Sequence, residues 1–328
     1  MNNQEKNSID RVNKYRALCA KELSIPLFSQ AWWLDTVAGE DAWDVALVEK
    51  GGVIVAAMPY VLRKRYGFTF IGQTALTQTL GPWLRETEGK SSTRLAQHKG
   101  WMQELITQLP AFHHFSQNWS WRIDNWLPFY WTGFTQTTRY TYILHELEDE
   151  NALWQGLQEN IRREIKKASN RFNIHICTEL SVEEFLELNR MTFTRQNMTV
   201  PYSDDFVKRL DLVCAERQAR RILIAKDEQG RCHAGAYIIW DHNSAYYLMG
   251  GGDPALRNSG ATSLCMWEAI KFAATVTKRF DFEGSMIEPV ERFFRAFGAQ
   301  QTPYFTISKT PSRILKTALF LRSLKGGQ

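Results

Sequence analysis

Cysteine is scarce in this chain of 328 residues: Cys19, Cys177, Cys214, Cys232 and Cys265 form an odd, scattered set with no C-x-x-C pair. That spacing disfavours a disulfide framework and a thiolate zinc site. Histidine is nearly as sparse, seven residues with neither H-E-x-x-H nor H-x-H spacing, so no metal is expected. No apolar run reaches the roughly 18 to 20 residues of a spanning helix. The polar start MNNQEKNSIDRVNKYR carries no apolar signal segment, and a cytoplasmic location is expected. Acidic residues are missing from residues 309–328, where Lys309, Arg313, Lys316, Arg322 and Lys325 account for the whole formal net charge of +5. The body is therefore neutral, which argues against a general nucleic-acid binder with a basic groove. The tail is left as a candidate contact for an anionic surface.

What is present is ordinary globular composition, 44% hydrophobic and 23% charged, with 12 Trp, 19 Phe and 11 Tyr for a well-packed core. The length suits about two domains. An internal repeat supports that count: G-x-x-Q-T-x-x-[YF]-T starts at Gly133 and again at Gly298, and the same offset carries Phe115 onto Phe280 and Ser120 onto Ser285. Two copies of one fold are expected, with domains at 1–145 and 146–310 and a basic amphipathic helix at 311–328.

The second copy is the clearer one. Over 151–172, Trp154, Leu157, Ile161, Ile165, Ala168 and Phe172 fall on one side of a helix, and Arg162, Arg163, Lys166, Lys167 and Arg171 occupy the other. A short strand (173–178) precedes a helix opened by Ser181 with Glu184 three residues on, a capping box. Ser203 opens the next helix. Strands are expected at 221–226, 232–240 and 245–249, a helix over 260–277, a strand at 279–283, a helix at 289–297 and a strand at 304–308. The first copy has the same order: a helix capped by Ser29, strands at 43–48, 53–62 and 68–71, a helix at 92–109, a strand near 112–116, a helix near 127–132 and a strand at 139–143. This is an α/β layout with a mixed sheet.

Two features distinguish the second copy. Arg257, Asn258, Ser259, Gly260, Ala261 and Thr262 follow a strand and open a helix, where exposed backbone N–H groups and a glycine suit a phosphate. The first copy has Gly89-Lys90-Ser91-Ser92-Thr93 at that place. In Phe280-Asp281-Phe282-Glu283-Gly284-Ser285 two carboxylates alternate with aromatics, so Asp281 and Glu283 share a strand face and could act as a base. Ser116 and Asn118 hold those positions in the first copy. A capping or ion-pairing role for either carboxylate, for instance with Arg292, is the alternative. Cys265, inside the long helix, is expected to be a buried small residue.

The run Tyr246-Tyr247-Leu248-Met249-Gly250-Gly251, then R-N-S-G-A-T, then M-W-E-A-I-K-F-A, F-D-F-E-G-S and F-F-R-A-F-G-A resembles the C-terminal domain of the Fem-like (CelD-like) branch of the GNAT acyltransferase superfamily. Residues 160–168, N-I-R-R-E-I-K-K-A, resemble the basic helix that opens that domain. The resemblance implies two tandem GNAT-like domains with a cleft between them, a degenerate first one on the acceptor side and a second one holding the donor. It implies acyl-CoA as cosubstrate, or aminoacyl-tRNA in the peptidyltransferase members, and an amine or hydroxyl of a cell-envelope precursor as acceptor. Arg257, Gly260 and Thr262 fall on the pyrophosphate loop (R/Q)-x-x-G-x-(G/A), with Thr262 departing from the small final residue. Arg295 stands where Fem proteins often carry a lysine that contacts an acceptor phosphate.

Amide or ester formation requires a base for the acceptor and fixed N–H donors for the developing oxyanion. Glu283 or Asp281 are the candidate bases, Met249 and Gly250 the candidate strand end for the donors, and Tyr247, Tyr246 and Tyr304 candidates for the acid or for acceptor contacts. Arg163 and Lys167 on the basic helix are candidate substrate contacts, for tRNA among others. A silent glycan- or peptide-binding module using Trp119, Trp121, Trp126 and Trp131 is the competing class. For 312–325 the alternatives are a helix packed on the domain and one held at the inner leaflet of the membrane.

Overall fold

The computed structural model describes residues 3–284 and 286–325; Ser285, half of one repeat correspondence, lies outside them. The chain forms two compact units, residues 1–139 with 303–328 and residues 140–302.

The first unit opens with α1 (Asn3–Cys19), which the sequence pattern did not announce, and α2 (Ala31–Ala38). Ser29 does not cap α2: Gln30 holds that position, and buried Ser29 instead accepts from Tyr15 through its carbonyl. There follow β1 (Trp43–Lys50), β2 (Val53–Arg65), β3 (Phe68–Gly72), β4 (Trp83–Leu84), α3 (Ser91–Thr107), β5 (His114–Asn118), α4 (Leu127–Trp131) and the start of β6 (Thr135–Leu144). The sheet order is β1-β2-β3-β5, with β4 beside β2. β1, β2 and β3 form an antiparallel meander, and β5 returns parallel to β3 after α3. Alternation along β2 and β3 buries one set of side chains under α3, where Met58, Tyr60, Ile71, Met102, Leu105, Phe115 and Trp119 make a core.

The second unit contains α5 (Glu150–Gly156), α6 (Glu159–Phe172), β7 (His175–Cys177), α7 (Val182–Arg195), α8 (Asp204–Glu216), β8 (Arg220–Lys226), β9 (Cys232–Trp240), β10 (Ala245–Gly252), α9 (Ala261–Ala273), β11 (Phe280–Asp281), α10 (Glu288–Arg295) and the start of β12 (Gln300–Lys309). Its order is β6-β11-β10-β9-β8-β7. The pattern of the first unit recurs: an antiparallel meander β8-β9-β10, a helix, then β11 parallel to β10. From Pro303 onward β12 belongs to the first unit and pairs antiparallel with β5. α11 (Arg313–Lys325) follows it.

The helix expected over 151–172 is two helices. Leu157 and Gln158 are extended between α5 and α6, with Leu157 buried and the Gln158 N–H donating to the carbonyl of Ala296 at 2.8 Å. A tertiary hydrogen bond thus replaces a helical one, and Arg162 Nη1 donates to the carbonyls of Trp154, Gln155 and Leu157 at the break. Both expected caps are present: Ser181 with Glu184 forms the full capping box, and Ser203 accepts from the Phe206 N–H. Cys265 is buried in α9.

Candidate functional site

β10 and β11 touch only at Ala245 beside Phe280 and Tyr246 beside Asp281. β10 runs six residues further, to Gly252, paired with β9 alone, while Phe282 stays with the other neighbour by donating its N–H to Tyr142. The strands therefore part, leaving an opening along the β10 edge beyond Tyr246. A bulge at Leu248, where the register with β9 jumps between Tyr247 and Met249, adds twist at that point. α7 secures the free end of β10 from below. Asn189 Nδ2 donates to the carbonyl of Gly250 at 2.7 Å, the Gly252 N–H donates to Thr192 Oγ1 at 3.1 Å, and a Cβ on Gly251 would stand 2.5 Å from the Asn189 nitrogen. Tyr202 donates to Asn189 Oδ1, and burial pushes its phenol up to about 12. Asn189, Thr192 and Tyr202 carry no motif that a sequence reading could catch, apart from a polar residue on the buried side of α7.

At the fork sit the two carboxyl groups. Asp281 is buried on β11 and its Oδ1 accepts from the Thr141 hydroxyl and, at 2.8 Å, from the Glu283 N–H. Burial raises Asp281 to about 6 despite those two donors. Glu283 is pushed well above the usual carboxylate range by burial and by the adjacent Asp281. The two do come together, but not as alternate residues of one strand. β11 ends at Asp281, and Glu283 and Gly284 both take left-handed φ values, 58° and 62°. A left-handed glutamate is strained backbone of the kind concentrated at functional sites. Here a close approach to β6 enforces the turn, since a Cβ on Gly284 would stand 2.1 Å from the Tyr140 carbonyl oxygen.

Tyr247 packs edge-on against Phe294, and its hydroxyl lies over Gly250, where a Cβ would be 1.6 Å away. Burial raises its phenol, so it holds its proton firmly. That suits a proton donor and excludes a base.

The loop before α9 divides by function. Arg257 and Asn258, in a 3-10 turn, and Thr262 are exposed, whereas Ser259, Gly260 and Ala261 are buried. Gly260 takes φ 82° at the N-cap of α9, and a Cβ there would stand 2.2 Å from the Glu164 carbonyl oxygen of α6. Its smallness thus serves the packing of α9 on α6. Ser259 Oγ bonds to His233 Nδ1 at 2.9 Å, and His233 Nε2 to Asp227 Oδ2 at 3.0 Å. Ser259 is therefore an internal anchor and not a side-chain ligand, a correction to the sequence reading. Arg257, Asn258 and Thr262 stay exposed at the start of a 13-residue helix, whose first N–H groups can meet an anion.

The candidate acceptor residues separate. Arg295 is exposed but paired with Glu291 at 2.9 Å, and Glu291 also accepts from the Tyr142 hydroxyl at 2.6 Å. Lys167 pairs with Glu164 at 2.5 Å, next to the Gly260 turn, and Arg163 is exposed on the same helix. Arg162 is consumed by the helix break. Tyr304 is buried in the first unit, its hydroxyl accepting from Arg139 Nε at 3.3 Å, so it lies with that unit's sheet and not beside Asp281.

In the first unit the equivalent fork is filled. Beyond β3, Leu80 lies alongside Trp119: its N–H donates to Asn118 and its carbonyl accepts from Ser120. Asn118 donates its N–H to Gln73 Oε1 and its amide to the Gln78 carbonyl and accepts from the Thr306 hydroxyl, and β4 closes against β2. Trp119, a candidate ligand platform, is fully buried against Phe129, whereas Trp131 is exposed.

Residues 156–295 match the sequence profile of the acetyltransferase (GNAT) domain. The chain has the Fem-like double-GNAT fold. Solved structures similar to it include FemX (TM-score 0.66, 11% identity, covering 90% of this chain and 95% of that one). Others are the C-terminal domain of a putative lysylphosphatidylglycerol synthetase from Agrobacterium fabrum (0.55, 11%, 95% and 96%) and a tandem GNAT protein from the clavulanic acid biosynthesis pathway (0.51, 10%, 94% and 97%). No curated protein matches the chain by sequence. The two units thus repeat one fold, with the fork filled in the first and parted in the second.

Proposed function

We propose that the protein is an N- or O-acyltransferase that uses acyl-CoA and acylates an amine or hydroxyl of a cell-envelope precursor. The observation that carries this is the fork itself: β10 and β11 part at a buried carboxylate pair and open toward the exposed loop at the start of α9. Arg257, Asn258, Thr262 and the first N–H groups of α9 hold the donor's pyrophosphate. The acyl carbonyl lies in the opening, where the freed backbone N–H groups near Met249 and Gly250 face the charge that develops on its oxygen.

The carboxyl pair then divides the proton work. Burial and the neighbouring Asp281 push Glu283 well above the usual carboxylate range, so it holds its proton more firmly than Asp281, which lies at about 6. Asp281 is the base for the acceptor, directly or through one water, steadied by the Thr141 hydroxyl and the Glu283 backbone N–H. Tyr247, whose buried phenol holds its proton, returns a proton to the leaving thiolate. Arg163, Lys167 and Arg295 offer cations to a phosphorylated acceptor.

Aminoacyl-tRNA as donor is the second reading, favoured by the exposed basic side of α6. Thermal-shift titration with acetyl-CoA, long-chain acyl-CoA and charged tRNA separates the two, because only a ligand of the folded state stabilises it. Stabilisation by charged tRNA alone overturns the CoA assignment, and no response to any of the three overturns the transferase assignment.

A further inference from the structure

One end of the first unit's sheet gathers three segments that are distant in sequence. Register fixes the gathering: Leu62 of β2 pairs with Ile71 of β3, Ile71 with Phe115 of β5, and Phe115 with Lys309 of β12. β2 and β12 both finish at this end, and four strands at the usual spacing put them roughly 14 Å apart. Beyond that row β2 carries Arg63, Lys64 and Arg65, all exposed, into a hairpin whose tip residue Tyr66 is 82% exposed. β12 leads through Thr310, which bonds to His114 Nδ1 at 2.8 Å, into α11.

Most of the described side chains of α11 face solvent. Ile314 is 72% exposed, Phe320 62% and Leu321 54%. The sequence explains why. Wound at 3.6 residues per turn, Arg322 falls between Ala318 and Leu315, so no uninterrupted apolar stripe exists to lie on a core. Charge at this end is mainly basic, with exposed Glu40 and Asp41 at its β1 edge, where the Leu62 N–H donates to the Ala42 carbonyl. Residues 61–85, 105–123 and 292–328 contain no Asp or Glu, while Arg63, Lys64, Arg65, Lys309, Arg313, Lys316 and Arg322 all lie in them.

We propose that this end of the first unit, the β2–β3 hairpin together with α11, docks on an anionic lipid surface. The basic cluster of the hairpin and α11, which lies away from Glu40 and Asp41 at the β1 edge, complements acidic headgroups, and the exposed Tyr66, Ile314, Phe320 and Leu321 add apolar and aromatic groups that insert at the headgroup level. The interleaving that prevents packing on a core is compatible with an interface, because Lys and Arg stems run along apolar surface while their charges reach phosphate. Exposed aliphatic residues on the same patch favour lipid over nucleic acid, whose backbone offers them no partner. The surface involves no residue of the acyl-transfer site, so the inference goes beyond the proposed reaction and can stand or fall separately.

The test is co-sedimentation of the full chain with phosphatidylcholine vesicles and with vesicles carrying about 30% phosphatidylglycerol, at low and high salt. Pelleting with the anionic vesicles at low salt, and not with the neutral ones, is expected. R63Q/K64Q/R65Q and R313Q/K316Q/R322Q should each weaken partitioning roughly a hundredfold, and I314S/F320S should weaken it without removing the salt dependence. All altered side chains are exposed, so unchanged thermal melting verifies the fold. No pelleting by the parent chain, equal pelleting with neutral vesicles, or loss in the α11 variant but not in the hairpin variant overturns the two-segment surface. So does binding of a tRNA or duplex through these residues in place of vesicles.

Discussion

His233 Nδ1 lies 2.9 Å from Ser259 Oγ, and the other ring nitrogen meets Asp227 Oδ2 at 3.0 Å, with all three residues buried. The sequence of groups is that of a hydrolase triad, but a buried serine whose hydroxyl is already bonded cannot meet a substrate. Its effect is mechanical. The tight turn 227–230, in which Asp227 also accepts from the Gln229 and Arg231 N–H groups, grips the loop that precedes α9. His233 and Arg231 hold the Asp227 carboxyl well below the usual range.

Breaking that grip should loosen the donor face without touching the carboxyl pair. S259A and H233A are each expected to weaken donor binding about tenfold, with kcat at saturating donor little changed. The unmet buried partner costs about 1 to 3 kcal/mol of stability. Calorimetric titration with CoA measures the first effect and urea unfolding the second. Full donor affinity in both variants would remove the positioning role.

Gly260 behaves differently from what its sequence context suggests. The loop's glycine suits a phosphate, but the 2.2 Å approach of a Cβ to the Glu164 carbonyl and the left-handed φ tie Gly260 to the fold as well. G260A should lose about 2 to 3 kcal/mol in urea unfolding. A loss below half a kcal/mol would show that α6 yields easily.

Asp281 sets a pH dependence of defined sign. Its carboxyl is raised to about 6 in the folded chain from 3.8 in the unfolded one, so the folded state holds the proton longer. The stabilising difference is complete below about pH 4 and is lost as pH rises through 6, roughly 3 kcal/mol in all. D281N keeps an acceptor for Thr141 and the Glu283 N–H while removing the charge. It should be more stable than the parent at pH 7.5, equal to it near pH 4, and at least a hundredfold slower in transfer. Parent activity should fall below pH 6 as the base is protonated. A variant less stable at pH 7.5 would contradict the buried charge.

Donor binding should be confined to the second unit. Leu80, bonded to Asn118 and Ser120, occupies the fork of the first unit, so calorimetry should give about one CoA per chain. Two equivalent sites would mean that the filled fork opens.

The sequence by itself determined the two-copy α/β organisation, because a repeated G-x-x-Q-T-x-x-[YF]-T and the matching order of periodic segments are local signals that survive without contacts. It determined the caps at Ser181 and Ser203, whose hydrogen bonds span three residues, and it singled out Asp281, Glu283 and the loop before α9. Tertiary structure decided what depends on neighbours far along the chain. Whether α5 and α6 are one helix turned on the Ala296 carbonyl, whether Ser259 faces a ligand or His233 turned on a hairpin 26 residues away, and which carboxyl keeps its proton turned on burial and Thr141. The swap of strand ends at Arg139 and Pro303 moved Tyr304 into the first unit, since strand pairing is won by register across the sheet and not by proximity in sequence. The composition of the tail was plain from the start, but its exposure, and its meeting with Arg63–Arg65 at one sheet end, followed only from the order in which the strands pair.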